Sequence, residues 1–199
     1  LIEKPTLDAF LKENKVVTGW VAGDIQILIR PDNLIKSTAV GTLRGEGFLV
    51  FLPTTTIQVN RITLEATGNR LKIDAGQILW IDEKIDISGD MTVLDRSVKI
   101  DFDVSADEFD WNKYGNLITG RKSTGPKSRL PGNADPKKKA LPLGGVIRFK
   151  TRHFRYGNYT WRPFTADLSI KPDYLMIDVH EANLCGISMP GMVSIYPDK

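Results

Sequence analysis

Apolar residues recur at every second position through most of this chain. Val17, Gly19, Val21, Gly23, Ile25, Ile27 and Ile29 alternate with Thr18, Trp20, Ala22, Asp24, Gln26 and Leu28, and Pro31-Asp32-Asn33 closes the run. A period of two puts successive side chains on opposite faces, so the run predicts a long strand with one mostly apolar face. Six more runs obey the same rule before residue 105: Thr38–Leu43, Gly47–Leu52, Thr56–Ala66, Arg70–Trp80, Lys84–Leu94 and Val98–Val104. Gly45-Glu46-Gly47, Thr67-Gly68-Asn69, Asp82-Glu83 and Asp95-Arg96-Ser97 are turn signals between them. Short connections predict antiparallel neighbours and hence a meander. Strands resume at Gly144–Lys150, Thr151–Tyr156, Tyr159–Ile170, Tyr174–Ala182 and Met192–Ile195.

Two places break the period. Thr6 can cap a short helix with Leu7, Phe10 and Leu11 on one face. Ser105-Ala106-Asp107-Glu108 has the form of a capping box and predicts a brief helix through Trp111 to about Gly115. The expected fold is therefore mainly β: a long curved antiparallel sheet, either an open groove or a partly closed sandwich, with two short helices. Residues 1–119 form a first unit, and 143–199 a second that completes the same sheet.

Between them, 120–142 holds four prolines, three glycines and almost nothing apolar, which predicts a flexible linker. It also changes the reading of the charge. Arg121, Lys122, Lys127, Arg129, Lys137, Lys138 and Lys139 face Asp135 alone, so of the formal +3 the rest of the chain carries −3. A slightly acidic body argues against a nucleic-acid face. The basic segment 121–139 could instead meet an anionic membrane surface. Its "GRKSTGPKS" approaches a phosphate-binding loop, but Pro126 breaks the spacing and no apolar helix follows.

A repeat is visible. Residues 62–76 align without gaps on 166–180, so that Leu64, Leu71, Ile73 and Asp74 meet Leu168, Leu175, Ile177 and Asp178, and the turn Gly68-Asn69 meets Pro172-Asp173. After a two-residue gap, "SGDM" (88–91) matches "PGMV" (190–193). Repeated strand-turn-strand units suit an elongated sheet.

Candidate chemistry is thin. Cys185 is the single cysteine, which excludes an internal disulfide framework or a multi-Cys zinc site. His180 lies on the Asp178 side of a strand, so Cys185 is expected to be a small buried residue with Gly186 in close backbone contact. Asp178, His180 and Glu181 do not share a face and fall short of a metal set. Asp82, Glu83, Asp86 and Asp90 are expected at exposed turn and strand positions, which is the pattern of a solvated face. Trp80, Trp111, Tyr159 and Trp161 could stack on sugars if clustered away from the apolar stripe, which would suit a carbohydrate-binding or scaffolding sandwich; otherwise they fill a core or a groove rim. No run approaches the ~20 apolar residues of a membrane helix. The start at Leu1 reads as a piece cut from a longer product.

"FTADLSIKPDYLMIDVHEANLCGISMPGMV" (164–193) resembles the C-terminal region of AsmA-like proteins, the bacterial family with TamB-like and YhdP-like members, with Ala182, Leu184, Cys185, Gly186 and Gly191 at the positions of its recurring strand ending. "AVGTLRGEGF" (39–48), "LKIDAGQILW" (71–80), "IDISGDM" (85–91) and "VKIDFDVSADEFDW" (98–111) are similar to strand sequences of the same family. The resemblance covers most of the chain outside 120–142, and the N-terminal membrane helix of longer members has no counterpart here. It implies a periplasmic protein tethered to the inner membrane through a segment outside this chain. It also implies a long curved sheet with a hydrophobic concave face and a non-enzymatic part, without cofactor or metal, in conveying phospholipid or maintaining the outer membrane. On that reading the acyl chains contact Ile25, Ile27, Ile29, Ile62, Leu64, Leu71, Ile73, Ile85, Ile87, Met91, Ile100, Phe102, Val104, Phe164, Leu168, Ile170, Leu175 and Ile177.

Overall fold

A computed structural model describes residues 19–28, 30, 36–51, 55–95, 97–118 and 143–196. The elements are β1 (Trp20–Leu28), β2 (Thr38–Phe51), β3 (Thr56–Gly68), β4 (Arg70–Trp80), β5 (Glu83–Leu94), β6 (Ser97–Asp110), α1 (Trp111–Ile118), β7 (Leu143–Tyr156), β8 (Tyr159–Trp161), β9 (Phe164–Ile170), β10 (Leu175–Leu184), β11 (Ile187–Ser188) and β12 (Gly191–Ile195). All twelve strands belong to one sheet, ordered β1-β2-β3-β4-β5-β6-β7-β9-β10, with β8 beside β7 and both β11 and β12 beside β10. The sheet does not close, and its two outer strands stay apart, so neither a barrel nor a sandwich forms among the described residues. The expected N-terminal helix and the linker 120–142 lie outside the described residues.

The meander expectation fails once. β6 and β7 are parallel, from Val98 opposite Leu143 to Asp110 opposite Arg155. Two parallel neighbours need a crossover in place of a hairpin, and α1 begins it. All other neighbours are antiparallel.

Several predicted boundaries move for local reasons. Gly45-Glu46-Gly47 is no turn: β2 runs straight through it, and Gly47 takes φ 69 between the pairs Glu46–Arg61 and Phe48–Val59. Lys150 and Thr151 likewise lie within one strand, β7. The long run 159–170 divides at Arg162-Pro163, where Pro163 has no N–H to give a ladder.

The capping box at Ser105–Glu108 is also overturned. These residues continue β6, held along Val104–Asp110 by β7, and tertiary pairing outweighs a local signal. The helix instead starts at Trp111, with Asp110 as its cap accepting a hydrogen bond from the Asn112 N–H at 2.9 Å.

The repeat proves longer than its sequence signal. The cross-strand pairs Gly41–Ala66, Leu43–Leu64, Leu64–Ile73, Ala66–Leu71, Leu71–Met91 and Ile73–Gly89 recur as Gly145–Ile170, Ile147–Leu168, Leu168–Ile177, Ile170–Leu175, Leu175–Ile195 and Ile177–Val193. One offset thus carries β2-β3-β4-β5 onto β7-β9-β10-β12 without a gap. The two-residue gap read from "SGDM" and "PGMV" is corrected: Met91 corresponds to Ile195. Gly41 and Gly145 are equivalent, with φ 133 and 135, and a Cβ on either would run into a carbonyl of the preceding strand, Asp24 or Ile100. Only glycine fits such a close approach at positive φ.

Candidate functional site: an uncovered apolar face

Strand pairing decides which side chains share a face, because partners opposite each other point the same way. Followed from strand to strand, the register gives a row of Gly23, Leu43, Leu64, Ile73, Gly89, Phe102, Ile147, Leu168, Ile177 and Val193. The next row is Ile25, Gly41, Ala66, Leu71, Met91, Ile100, Gly145, Ile170, Leu175 and Ile195. On the other side lies Val21, Gly45, Ile62, Gly76, Ile87, Val104, Phe149, Ala166, Val179 and Gly191. A fourth row, Phe48, Val59, Ile78, Ile85, Ala106, Thr151, Phe164 and Ala182, crosses eight strands. Across ten strands about 4.8 Å apart this face is roughly 43 Å wide. Its single polar member in these rows, Thr151, is 2% exposed, and its hydroxyl lies within 3.2 Å of the Asp107 and His153 carbonyls.

The expected lipid-contacting residues thus come together on one face. Ile27 sits beside them, opposite Ala39; Ile29 lies outside the described residues. The sequence reading missed others on the same face: Leu43, Ile57, Val59, Ile78, Ile147 and Phe149. Bulges hide Ile57, Val59 and Ile78. β3 gains a residue against β4 at Asn60, and β4 gains one against β5 between Ile73 and Gly76. Each bulge reverses the alternation, so Ile57 and Val59 join Ile62 and Leu64, and Ile78 and Trp80 join Leu71 and Ile73. The signal was present as a three-residue step between apolar positions.

The face is covered at one end and bare at the other. At the first end α1 lies across it. Tyr114 is fully buried, stacked on Phe109 with centroids 4.7 Å apart and edge-on to Trp80 at 4.6 Å. Phe149, Phe154 and Phe164 extend the cluster, with Phe154 stacked on Phe164 at 4.2 Å. Trp161 packs 5.9 Å from Phe154. Trp80, Trp161 and Trp111 thus belong to the end of the apolar face, and Tyr159, though 59% exposed, packs 6.0 Å from Trp161 at its margin.

Glu83 pins this end. It is 6% exposed, correcting the expectation of an exposed carboxylate. Its oxygens accept hydrogen bonds from the Asp110 N–H at 3.0 Å and the Tyr114 hydroxyl at 2.8 Å, and Lys113 Nζ lies 3.1 Å away. Burial first, then the Glu83 carboxylate, push the Tyr114 hydroxyl far above the ordinary tyrosine range. Asn112 ties the start of α1 to the β7–β8 turn, donating to Gly157 O at 3.2 Å and accepting from its N–H at 2.8 Å.

At the opposite end Ile27, Ala39, Ala66, Leu71, Met91 and Val93 line a shallow hollow that is almost wholly apolar. Most of the face between the ends is half-buried, and among the described residues no second layer covers it.

The reverse face is ionic. Arg148 reaches Asp103 at 2.8 Å and Asp101 at 2.5 Å, which raises its already high pKa. Arg70 meets Asp90 at 2.8 Å, and Lys72 meets Asp74 at 2.6 Å. Two hollows open over this polar side, one reaching from Arg61 to Asp167 and one beside Lys84 and Arg152.

The other candidates resolve as follows. Cys185 is exposed, correcting the buried expectation: with φ 52, and Gly186 at φ 83, it forms the two-residue turn that pairs Leu184 with Ile187. Nothing lies within 4 Å of a Cβ built on Gly186, so its role is conformational and not a close contact. His180 lies 3.2 Å from Asp167 on the polar side. Among the described residues no three His, Cys, Asp or Glu side chains are grouped to hold a metal, and no helix is long and apolar enough to cross a membrane. Compared with protein-family models, curated proteins and solved structures, the chain gives no significant match.

Proposed function

We propose that this chain is a β-sheet segment of an AsmA-like cell-envelope protein, and that it binds or conveys phospholipid along its apolar face without enzymatic chemistry. One observation carries the reading: an unbroken apolar face crosses ten strands of an open sheet, and among the described residues only α1, at one end, lies over it. Exposed apolar patches on monomers rarely exceed a few hundred Å², so a surface of this extent calls for an apolar occupant. Acyl chains suit it because van der Waals contact without hydrogen bonding matches rows whose one polar side chain, Thr151, is buried and already hydrogen-bonded. The residues that would meet them are the described members of the stripe, from Ile25 and Ile27 through Ile87 and Phe102 to Leu175 and Ile177, with Leu43, Ile147 and Phe149 added. A periplasmic location, with an inner-membrane tether outside this chain, follows from the family resemblance. Contact of the basic segment 121–139 with anionic headgroups belongs to the same reading.

The test is native mass spectrometry of the purified chain, with lipid extraction from the same sample. Stoichiometric phospholipid is expected. Ile87→Asp or Phe102→Asp abolishes retention, whereas Thr92→Asp and Lys99→Glu on the reverse face leave it unchanged. A clean lipid-free mass with no uptake of added phospholipid, or equal retention in all four variants, overturns the proposal.

A further inference from the structure

We propose that the hollow between β8 and the end of β10 is a binding site for an acidic saccharide, one that carries a carboxylate on a sugar ring. The two strands are tied together at one place. The Arg162 N–H donates to the Asn183 carbonyl at 2.7 Å, and the Asn183 N–H donates to the Pro163 carbonyl at 3.3 Å. Among the described residues β8 pairs only with β7, so beyond that tie no ladder closes the space between β8 and β10. Asn158, Tyr159, Thr160 and Arg162 line the space from one side, and Asn183 and Cys185 from the other. Its volume is about 510 Å³, within the roughly 300–1,000 Å³ of small-ligand sites.

The walls are fixed. The Asn112 side chain holds the turn at Gly157 by two hydrogen bonds. Tyr159 packs on Trp161, whose ring rests against Phe154. Behind the Cys185-Gly186 turn, the Met189 N–H donates to the Ala182 carbonyl at 2.8 Å.

Hydrogen-bonding capacity is left over inside these walls. Among the described residues the side chains of Asn158, Thr160, Arg162 and Asn183 have no hydrogen-bond or ion-pair partner. Their neighbours are paired: Asn112 with Gly157, and Arg155 with Asp110. Amides and a hydroxyl both donate and accept, which is what sugar hydroxyls require. A guanidinium without a protein carboxylate suits a carboxylate on the ligand, held in bidentate fashion. Tyr159 adds an exposed ring on which the C–H face of a sugar can lie. A bare phosphate would engage Arg162 and leave the amides and the ring idle.

None of the lining residues belongs to the apolar rows, so this proposal and the phospholipid reading stand or fall separately. The experiment is isothermal titration of lipid-stripped protein with tetragalacturonate, a hyaluronan tetrasaccharide, neutral maltotetraose and inorganic phosphate. Saturable binding of at least one acidic oligosaccharide is expected, about tenfold or more tighter than maltotetraose or phosphate. Arg162→Ala and Tyr159→Ala each weaken it by about tenfold or more. Arg162→Lys does not restore it, because an ammonium lacks the planar fork. Arg152→Ala, on the ionic face, leaves it unchanged. Arg162 and Tyr159 are exposed, so both variants keep the melting temperature of the unmodified protein. A second reading needs no variant. Cys185 is the single cysteine, is exposed and lines the hollow, so bound oligosaccharide slows its alkylation by iodoacetamide. No binding of either acidic oligosaccharide, equal or tighter binding of maltotetraose or phosphate, affinity that survives Arg162→Ala, or alkylation that ignores saturating oligosaccharide overturns the proposal.

Discussion

The two ends of the apolar face share β4 and β5 and have opposite fates. Where β6 meets α1, large aromatics fill the space over the sheet, and Tyr114 and Ile85 are 0% and 4% exposed. Where β1 and β2 meet the β3–β4 turn, the side chains are aliphatic and Ile27 remains 38% exposed. The difference is one of cover. A single-layer sheet has no interior of its own, and a core exists only where something is laid upon it. Eight residues of α1, held by the buried Glu83 carboxylate and the Asn112–Gly157 pair, supply that cover at one end. The first end therefore stabilises the fold, and the second stays open.

The sharpest way to break this contrast is to empty the covered end. Tyr114→Ala removes a fully buried ring and is expected to cost about 3–5 kcal/mol, read as a fall in the denaturant midpoint. Leu71→Ala at the bare end is expected to cost only about 1 kcal/mol, since its side chain is half in water already. Equal losses would show that both ends are core. Next comes the pin: Glu83→Ala strands the Asp110 N–H and leaves the Tyr114 hydroxyl only the Trp80 carbonyl, 2.8 Å away, at about 1–3 kcal/mol, with increased hydrogen exchange in α1 as the local sign.

A smaller effect is specific to pH. The folded state holds Tyr114 protonated above its ordinary range. Below about pH 10 folded and unfolded chains both carry that proton, and the stabilisation is complete. Above it the unfolded chain releases the proton first, so stability falls as pH rises. Tyr114→Phe should flatten that alkaline slope in thermal melts at pH 9 to 11, relative to the unmodified protein.

The smallest effect belongs to the ionic face. The hydrogen bond from Arg70 lowers the pKa of Asp90, so its contribution is present above about pH 4 and is lost as pH falls further. The pair is solvated, and Arg70→Ala should shift the melting temperature barely measurably at neutral pH. A large shift would mean that the polar side also bears on stability.

Legibility followed the range of the interactions. Strand identity and the apolar stripe could be read where alternation ran unbroken, as in Ile100, Phe102 and Val104. Alternation failed at Asn60 and between Ile73 and Gly76, where an added residue reverses the phase and hides Val59 and Ile78. Turn chemistry misled at Gly45-Glu46-Gly47, because neighbouring strands on both sides carry β2 through it. The capping box at Ser105 was outweighed by the β7 ladder for the same reason. Cys185 was misplaced because a two-residue turn with both φ positive depends on the pairing of Leu184 with Ile187, which no local pattern announces.

The sequence by itself determined that this chain is mainly β, that one face is apolar and the other ionic, and that a strand-turn-strand unit is repeated. Those properties depend on residue types two positions apart and on turn residues between them. Only the tertiary structure decided that the sheet stays open, that β6 and β7 are parallel, that the apolar side chains fall into continuous rows, and that α1 covers one end of them. These depend on contacts between residues far apart in the chain. Alternation constrains which face a side chain takes and leaves open what that face will meet.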